Sequence, residues 1–378
     1  RRTSSSSDTT ASVLLPPPNQ KYLHGHHESV LRSHTWRTAQ NSCAYLLPHL
    51  YRLSNTFSSN DLSATPNGSS SSNSTTPPTT TTTTSATTIP NLKILDIGCG
   101  PGTITNDLAS LIAPAGGTII GIDISEDILE QAREDARKKG LVNGKGQGGR
   151  GDDELGLFEE GTTFDVVHVH QVLQHVQDPV GALKEIKRVT KPRPTFSKSN
   201  SGSNVDKTLA APPSSLSPSL PSSSGAGEEE RGGGGIIAIR ESIYDRFIWY
   251  PESKGIEEWS RKYIQVAKSI GTEPNAGKML HVWAREAGLL LQVEEEGRGR
   301  NNMICSVSNW CYSTEEEVKW WSGLWADRAT KSNFAKIAIE KGLASMEELE
   351  GIRKAWLEFG ESEDGWFVIP SGEILIWV

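Results

Sequence analysis

Hydrophobic positions between residues 92 and 239 alternate between short apolar runs and longer stretches with apolar residues on one helical face. Short apolar runs bounded by turn residues indicate buried strands, whereas apolar residues three and four positions apart indicate amphipathic helices. The pattern predicts strands at 92–97, 118–122, 164–169 and 236–239, and helices at 103–113, 125–140 and 179–191. Strands and helices that alternate in this way predict a mostly parallel α/β sheet with helices on both faces.

The same kind of pattern continues at both ends of this region. Two short helices are predicted within 22–53, before the first strand. After the last strand, the pattern predicts helices at 255–270, 277–287, 314–329, 332–341 and 346–359, and strands at 289–293 and 303–307.

Three stretches are dominated by Ser, Thr, Pro and Gly, which cannot bury enough apolar surface to offset the entropy of ordering the chain. We expect residues 1–19, 55–90 and 193–235 to be disordered. The remaining chain then divides into an N-terminal helical segment at 20–54, an α/β domain at 91–310 and an aromatic-rich helical extension at 311–378. Ten of the eleven tryptophans follow residue 248.

Composition excludes several classes of function. The formal net charge of −8 gives no broad positive field of the kind that nucleic-acid binding requires. The four cysteines form no CxxC pair, so neither a disulfide framework nor a metal site is predicted. No apolar run approaches the roughly 18 residues that cross a bilayer, so no stable membrane insertion is predicted. We expect a cytoplasmic protein; Arg1, Arg2 and the serines after them leave mitochondrial targeting as the alternative.

A glycine-rich turn follows the first predicted strand, where Gly98, Gly100 and Gly102 have the spacing GxGxG. Backbone amides at the start of the next helix converge there on a point where a negative group of a ligand can bind. A dinucleotide-binding fingerprint has its third glycine at the position that Thr103 occupies here. This difference weakens the prediction of a nicotinamide cofactor. The carboxylate of Asp96 would repel a pyrophosphate but suits an ammonium group, such as that of S-adenosylmethionine.

Asp123 ends the second predicted strand, about 20 residues beyond the glycine turn. This is the usual place for a carboxylate that accepts hydrogen bonds from both hydroxyls of a ribose. Nicotinamide cofactors and S-adenosylmethionine both carry that ribose, so Asp123 alone does not separate a methyltransferase from an NAD(P)-dependent oxidoreductase.

With these residues, the chain resembles the class I S-adenosylmethionine-dependent methyltransferases, and among them the ubiquinone/menaquinone-type small-molecule enzymes and their fungal relatives. The resemblance implies a Rossmann-like fold with a mostly parallel seven-stranded sheet and S-adenosylmethionine as the cofactor. It also implies that the segment beginning at His170 passes beneath the cofactor toward the substrate pocket. The cofactor-binding residues that it implies are Asp96, Gly98, Cys99, Gly100, Gly102, Thr103, Asp123, Ile124, Asp152, His170 and Gln171.

The chain departs from the family pattern after Leu141, where a strand is expected that ends in a Gly-Asp pair whose carboxylate meets the adenine amino group. Residues 143–150 have almost no strand propensity, although Asp152 could still make this contact. A catalytically weakened, S-adenosylmethionine-binding regulatory protein is therefore a further alternative. A Lys-Pro-Gly-Gly turn of the family corresponds to Lys191-Pro192 and 232–235, separated here by the insertion at 193–235.

In related enzymes the segment before the first strand folds over the cofactor, so the resemblance implies that 20–54 forms a lid. Aromatic residues just past the predicted strand 236–239, which corresponds to the fifth strand of the family, lie where such enzymes build the acceptor pocket, and they predict an apolar or planar small-molecule acceptor. The predicted substrate pocket comprises Tyr22, His34, Trp36, Arg37, Trp249 and Tyr250.

The predicted reaction is a single in-line displacement onto the acceptor, for which the protein aligns the two molecules and excludes water. If the acceptor must lose a proton, His170 or His175 is the expected general base, because imidazole titrates near neutral pH. The alternative for both residues is a hydrogen-bonded structural histidine. The sequence identifies neither the acceptor nor the oligomeric state.

Overall fold

The computed structural model describes residues 23, 25, 27–54, 91–141, 158, 161–193, 234–290 and 302–378. The predicted disordered stretches at 1–19 and 55–90, and nearly all of 193–235, lie outside these ranges. Tyr22, Asp152 and the region in which the resemblance expects a strand after Leu141 also lie outside them.

The described part of the chain contains a seven-stranded mixed sheet. Strands β1 to β4 run parallel in the order β2-β1-β3-β4, and β7 pairs antiparallel with β4. Strands β5 and β6 both pair antiparallel with β7. Strand β5 pairs only with the first residues of β7, whereas β6 pairs along most of its length. The strands are β1 (Lys93–Ile97), β2 (Thr118–Ile122), β3 (Val166–His170), β4 (Ile236–Ser242), β5 (Ile248–Tyr250), β6 (Met303–Tyr312) and β7 (Trp366–Trp377).

Helices occupy the predicted positions between the strands, and the described residues 27–54 form three short helices where two were predicted. Of the predicted strand 289–293, only Leu289 and Leu290 are described, and neither is in a strand. The helices are α1 (Glu28–Thr35), α2 (Ala39–Ser42), α3 (Leu47–Ser54), α4 (Thr103–Ile112), α5 (Glu126–Lys138), α6 (Pro179–Val189), α7 (Lys254–Ser269), α8 (Leu280–Glu286), α9 (Glu315–Lys331), α10 (Asn333–Glu340) and α11 (Met346–Gly360).

Helices cover both faces of the parallel strands, as predicted. Alternate residues of a strand point to opposite faces, so Leu95 packs in one cluster with α6 and α8, while Ile94 packs in another with α3 and α4. Strands covered on both sides read as continuous apolar runs, which is why β1, β3 and β4 were recognisable from the sequence. The sheet and its helices have the arrangement of a class I methyltransferase fold.

The structure corrects the predicted domain limit at residue 310. That limit cuts through β6 and assigns β7 to a helical extension, yet β7 pairs along the whole of β4 inside the central sheet. Between these two strands, α9, α10 and α11 pack with α7 in an aromatic core that includes Trp259, Trp325 and Trp356. The C-terminal region is therefore part of the same α/β unit.

The two ends of the predicted insertion at 193–235 meet. The backbone N–H of Gly235 donates to the carbonyl oxygen of Lys191 over 2.7 Å. A Cβ atom on Gly234 would lie 3.3 Å from the Cα of Arg193. The approach to β4 is thus closed by contacts between residues on either side of the insertion.

No helix within the described ranges is both long enough and apolar enough to span a membrane.

Candidate active site

A cavity extends along the edge of the sheet where the parallel strands have their carboxyl ends. Its first half lies against the turn after β1 and the end of β2, and we call this half the cofactor end. Its second half lies against the ends of β3 and β4 and against β6, β7 and α9, and we call it the far half. Because the carboxyl edge of an open parallel sheet is where ligands bind in this type of fold, the cavity is the candidate site.

The glycine turn at the cofactor end depends on left-handed backbone conformations. Gly98, Gly100 and Gly102 have φ values of 67°, 55° and 75°. A Cβ on Gly98 would overlap the side chain of Val172, and one on Gly102 would lie 2.7 Å from the Cβ of Ala132. Glycines are therefore required here both by the backbone conformation and by close packing.

Asp123 ties the end of β2 to this turn. Its Oδ2 accepts a hydrogen bond from the backbone N–H of Gly100 over 3.0 Å, and its Oδ1 accepts one from Ser125 over 3.1 Å. The half-buried carboxylate lines the cavity together with Ile124. The arrangement holds a carboxylate beside the glycine turn, where the sequence predicted a partner for ribose.

Asp96 belongs to a buried network that the sequence did not predict. Its Oδ1 lies 2.7 Å from Nδ1 of His168, and its Oδ2 accepts a hydrogen bond from the hydroxyl of Thr105 over 2.6 Å. Nε2 of His168 lies 3.2 Å from Sγ of Cys43. Burial opposes a charge on His168, but Cys43 and Asp96 outweigh it and raise the pKa of His168 to about 10. The carboxylate of Asp96 is therefore balanced by an imidazolium.

The N-terminal helices close one side of the cavity. His34 and Arg37 line it, and the carbonyl oxygen of His34 accepts a hydrogen bond from the hydroxyl of Thr103 over 3.2 Å. Arg37 Nη2 donates to Oε1 of Gln171 over 2.8 Å. Trp36 is not among the residues that line the cavity; it packs against Trp310, with ring centroids 5.4 Å apart.

Gln171 connects the N-terminal helices to the sheet. It has a φ of 56°, a left-handed conformation that is uncommon outside glycine. Its Nε2 donates to the hydroxyl of Ser242 over 2.7 Å. Gln171 therefore fixes the position of the Arg37 guanidinium relative to the ends of β3 and β4.

Hydrogen bonds to Glu241 fix the backbone of the segment after Gln171. The Glu241 carboxylate accepts hydrogen bonds from the backbone N–H groups of Val172, Leu173 and Gln174 over 2.9, 2.8 and 3.3 Å. Burial raises the pKa of Glu241 to about 7, against the lowering effect of these bonds. Glu241 itself is not among the cavity-lining residues.

His170 lines the cavity in a form that the sequence did not predict. Arg240 Nη1, which can only donate, lies 3.1 Å from Nε2 of His170. Burial and the positive charges of Arg37 and Arg240 hold the pKa of His170 well below its usual value. The neutral ring therefore carries its proton on Nδ1, which is buried and has no hydrogen-bond partner among the described residues. His170 presents a donor, and its acceptor nitrogen is already engaged.

His175 also lines the cavity and is held neutral. Gln174 Nε2 donates to Nε2 of His175 over 3.2 Å. Burial, followed by the charge of Arg37, lowers the pKa of His175 to about 3. Neither predicted general base thus has the near-neutral pKa that led us to expect that role.

The far half has an aromatic wall, but not the one predicted. Tyr250 is 57% exposed, and Trp249 stacks on Phe367 with ring centroids 6.3 Å apart, so neither lines the cavity. The reason is that β5 pairs with the start of β7, which directs its side chains toward the aromatic core or the solvent. The wall consists instead of Tyr244, Phe247, Trp310, Trp321 and Ile369, with Arg328 beside them.

Within the described ranges, no group of three or more His, Cys, Asp or Glu side chains is placed to hold a metal ion.

The cofactor end fits S-adenosylmethionine. At Gly100 the nearest side-chain atom to an added Cβ is 3.6 Å away, so the turn leaves room beside its backbone, and the Asp123 carboxylate stands there at the position predicted for the ribose. His170, whose buried Nδ1 has no hydrogen-bond partner among the described residues, lines the same cavity. The sheet order β2-β1-β3-β4-β7 with antiparallel β7 is that of a class I methyltransferase fold.

Comparisons with known proteins agree. A family model described as a methyltransferase domain matches residues 89–220. The chain is 28% identical over 359 residues to an uncharacterized methyltransferase of Schizosaccharomyces pombe, covering 94% of this chain and 95% of that protein. These similarities identify the chain as a methyltransferase with S-adenosylmethionine as its cofactor. The alternative of a nicotinamide-dependent oxidoreductase is therefore not retained.

The similarity to quinone methyltransferases is more limited. A ubiquinone biosynthesis O-methyltransferase of Methylococcus capsulatus is 37% identical over 106 residues, which cover 28% of this chain and 42% of that enzyme. A demethylmenaquinone methyltransferase of Lactococcus lactis is 38% identical over 105 residues, which cover 28% of this chain and 40% of that enzyme. The chain thus spans about two fifths of the length of these two relatives.

Proposed function

We propose that this methyltransferase transfers the methyl group directly to a small organic acceptor bound in the far half of the cavity. The observation that carries the proposal is the continuity of one cavity from the glycine turn to the aromatic wall of Trp310 and Trp321. Continuity allows donor and acceptor to meet without a covalent intermediate on the protein. An aromatic wall favours an acceptor with an apolar or planar body.

S-adenosylmethionine, when bound, supplies a methyl group on a sulfonium, which is already an activated leaving group. The chain's own residues then have three tasks. The glycine turn, Asp96 and Asp123 hold the amino-acid tail and the ribose. Glu241 fixes the backbone of 172–174 beneath the reacting centre. The α1 helix, with His34 and Arg37, covers the cavity and excludes water.

The proposal is tested with S-adenosylmethionine labelled in its methyl group and the small-molecule fraction of a fission yeast extract. We expect labelled low-molecular-weight product with the native protein. Binding of S-adenosylhomocysteine without any labelled product would contradict the proposal and favour a regulatory protein that binds the cofactor.

Asp123→Ala tests the assignment of the cofactor end. We expect its affinity for S-adenosylhomocysteine, measured by calorimetry, to fall at least about tenfold, because a hydrogen bond to a charged acceptor is worth about 1.5 to 3 kcal/mol. Asp127→Ala is the matched control, since Asp127 is exposed on the first turn of α5. Equal affinities of the two variants would remove Asp123 from the site.

A further inference from the structure

Four buried side chains are hydrogen-bonded in series from the N-terminal helices to the cofactor end of the cavity. Sγ of Cys43 lies 3.2 Å from Nε2 of His168, and Nδ1 of His168 lies 2.7 Å from Oδ1 of Asp96. The hydroxyl of Thr105 donates to Oδ2 of Asp96 over 2.6 Å. The side chains come from separate elements, namely the end of α2, β3, β1 and α4. We call these four side chains the Asp96 network.

The order of sulfur, imidazole and carboxylate is also that of a cysteine nucleophile with its base and the group that orients the base. Cys43 and His168 are both 0% exposed, and neither is among the described residues that line the cavity. A substrate in the cavity therefore does not reach the sulfur. Asp96, in contrast, lines the cavity, and its side chain is 3% exposed. An effect of Cys43 and His168 on a bound ligand must therefore pass through Asp96.

The carboxylate of Asp96 keeps capacity to accept further hydrogen bonds. A carboxylate has about four lone-pair sites, and the two donors His168 and Thr105 use one on each oxygen. Asp96 lies in β1, two residues before Gly98, where the amino-acid tail of the cofactor is expected. The ammonium group of that tail is a donor that matches the remaining sites.

His168 supports the carboxylate from behind, as seen from the cavity. An unpaired buried carboxylate is costly, and the His168 imidazolium supplies the opposite charge. Both ring nitrogens of His168 are engaged, Nδ1 by Asp96 and Nε2 by Cys43. The ring therefore cannot turn about its Cβ–Cγ bond without losing a contact. Cys43 thus helps to fix the direction from which His168 meets Asp96.

The N-terminal segment holds Cys43 in place. Helix α2 ends directly before Cys43, and the backbone N–H of Ala39 at its start donates to Oδ2 of Asp107 over 3.1 Å. The indole N–H of Trp310 donates to the carbonyl oxygen of Asn41 over 2.8 Å. Contacts from α4 and β6 therefore anchor α2, and with it the sulfur that contacts His168.

Resting on the place that the proposed function gives to Asp96, we propose that Cys43 and His168 are positioning residues for the ammonium group of the cofactor. They act through Asp96. His168 keeps the carboxylate charged and oriented, and Cys43 keeps the His168 ring in place. Their contribution to binding is then specific to ligands that carry this ammonium group.

Calorimetry with two ligands measures that specificity. S-adenosylhomocysteine carries the ammonium group, whereas its desamino analogue has a hydrogen atom in that place and is otherwise the same. We call the ratio of the two affinities the ammonium preference. The native protein is expected to show a preference of at least about tenfold, because a hydrogen bond between two charged groups is strong.

Three variants divide the Asp96 network into its parts. Asp96→Asn is expected to lose most of the ammonium preference. Cys43→Ala and His168→Asn are expected to reduce it about three- to tenfold, through weaker binding of S-adenosylhomocysteine. The asparagine of His168→Asn can still donate to the carboxylate but carries no charge. Cys43→Ser is expected to recover part of the loss, because its hydroxyl can also bond to Nε2 of His168.

Leu46→Ala is the matched control for a loosened N-terminal segment. Leu46 is as deeply buried as Cys43 and packs in the same hydrophobic cluster. Its truncation is expected to lower both affinities alike, so that the ammonium preference stays native. Thermal unfolding shows whether each variant is folded.

The outcomes separate this inference from the proposed function. A native ammonium preference in folded Cys43→Ala and His168→Asn variants would overturn the inference alone, and so would an equal loss of preference in Leu46→Ala. A native preference in folded Asp96→Asn would overturn the place of Asp96 in the site, and the inference with it. The absence of labelled product from a yeast extract would overturn direct transfer to an acceptor, but it leaves these binding measurements unchanged.

Discussion

Gly98 and Gly140 have almost the same left-handed backbone conformation, with φ values of 67° and 68°. They differ in their surroundings, because a Cβ on Gly98 would overlap Val172, whereas one on Gly140 would meet nothing within 4 Å. The pair therefore separates the cost of the backbone conformation from the cost of crowding Val172 beside the glycine turn.

Gly98→Ala is expected to weaken the binding of S-adenosylhomocysteine at least about tenfold, since the turn must move to relieve the overlap. Gly140→Ala is expected to lose only about 1 to 2 kcal/mol of unfolding free energy, with native affinity. Calorimetry and urea denaturation measure the two effects. Native affinity in Gly98→Ala would show that the turn does not bind the cofactor.

His168 makes stability depend on pH. Its pKa is raised to about 10 in the folded protein, so folded His168 keeps a proton that the unfolded chain loses above about pH 6.5. Its contribution to stability is therefore complete below about pH 6.5 and is lost as the pH rises toward about 10.

We expect the unfolding free energy of the native protein to fall over this range more steeply than that of His168→Asn. Urea denaturation at a series of pH values gives both slopes. His281→Asn, which changes an exposed histidine, should keep the native slope. Identical slopes in the native protein and in His168→Asn would contradict the charged state of His168.

Individual site residues were predicted correctly from the sequence where the local backbone conformation requires a particular residue type. The glycine turn and Asp123 were identifiable because left-handed conformations and the end of a strand leave a local pattern. The roles of His170 and Asp96 were not, because they depend on Arg240 and His168, which belong to other strands. A histidine in a sequence does not reveal which of its nitrogens is already bonded.

Among the elements, α11 connects the aromatic core to the central sheet. Trp356 is fully buried and packs edge-on against Trp259, with ring centroids 4.9 Å apart. Its neighbour Leu357 is 42% exposed. Two adjacent positions of one helix thus differ mainly in burial.

Trp356→Ala is expected to cost about 3 to 5 kcal/mol of unfolding free energy, because it leaves a cavity in a packed core. Leu357→Ala is expected to change it by less than about 1 kcal/mol. Denaturant unfolding measures both. Similar losses in the two variants would show that the aromatic core around α11 is not packed as described.

Sequence predicted the helices and the parallel strands but not the position of the C-terminal strands. A central parallel strand carries its own signal, a continuous apolar run. In β7, by contrast, Pro370, Ser371, Gly372 and Glu373 interrupt the run, and only pairing with β4 and β6 shows it to be a strand. The sequence therefore did not predict the cavity-wall positions of Trp310, Trp321 and Arg328, because strand pairing between distant parts of the chain brings them there.

In the molecule as a whole, the residues that flank the insertion between α6 and β4 contact each other directly. Lys191 and Gly235 are already hydrogen-bonded, and Gly234 lies beside Arg193. Residues 194–233 can therefore be replaced by a link of one or two glycines.

We expect the shortened protein to keep its native affinity for S-adenosylhomocysteine and its native thermal midpoint within a few degrees. Calorimetry and thermal unfolding measure these quantities. Loss of binding in a folded, shortened protein would mean that the insertion contributes to the cofactor site.

Methyl transfer by this protein depends on one cavity that holds the donor at the glycine turn and presents its methyl group to the far half. A crystal structure of the protein with S-adenosylhomocysteine tests this most directly. We predict the ribose at Asp123, the amino-acid tail over the glycine turn, and the sulfur facing the space before His170 and Trp310. An empty cavity, or a sulfur that faces away from that space, would contradict the account.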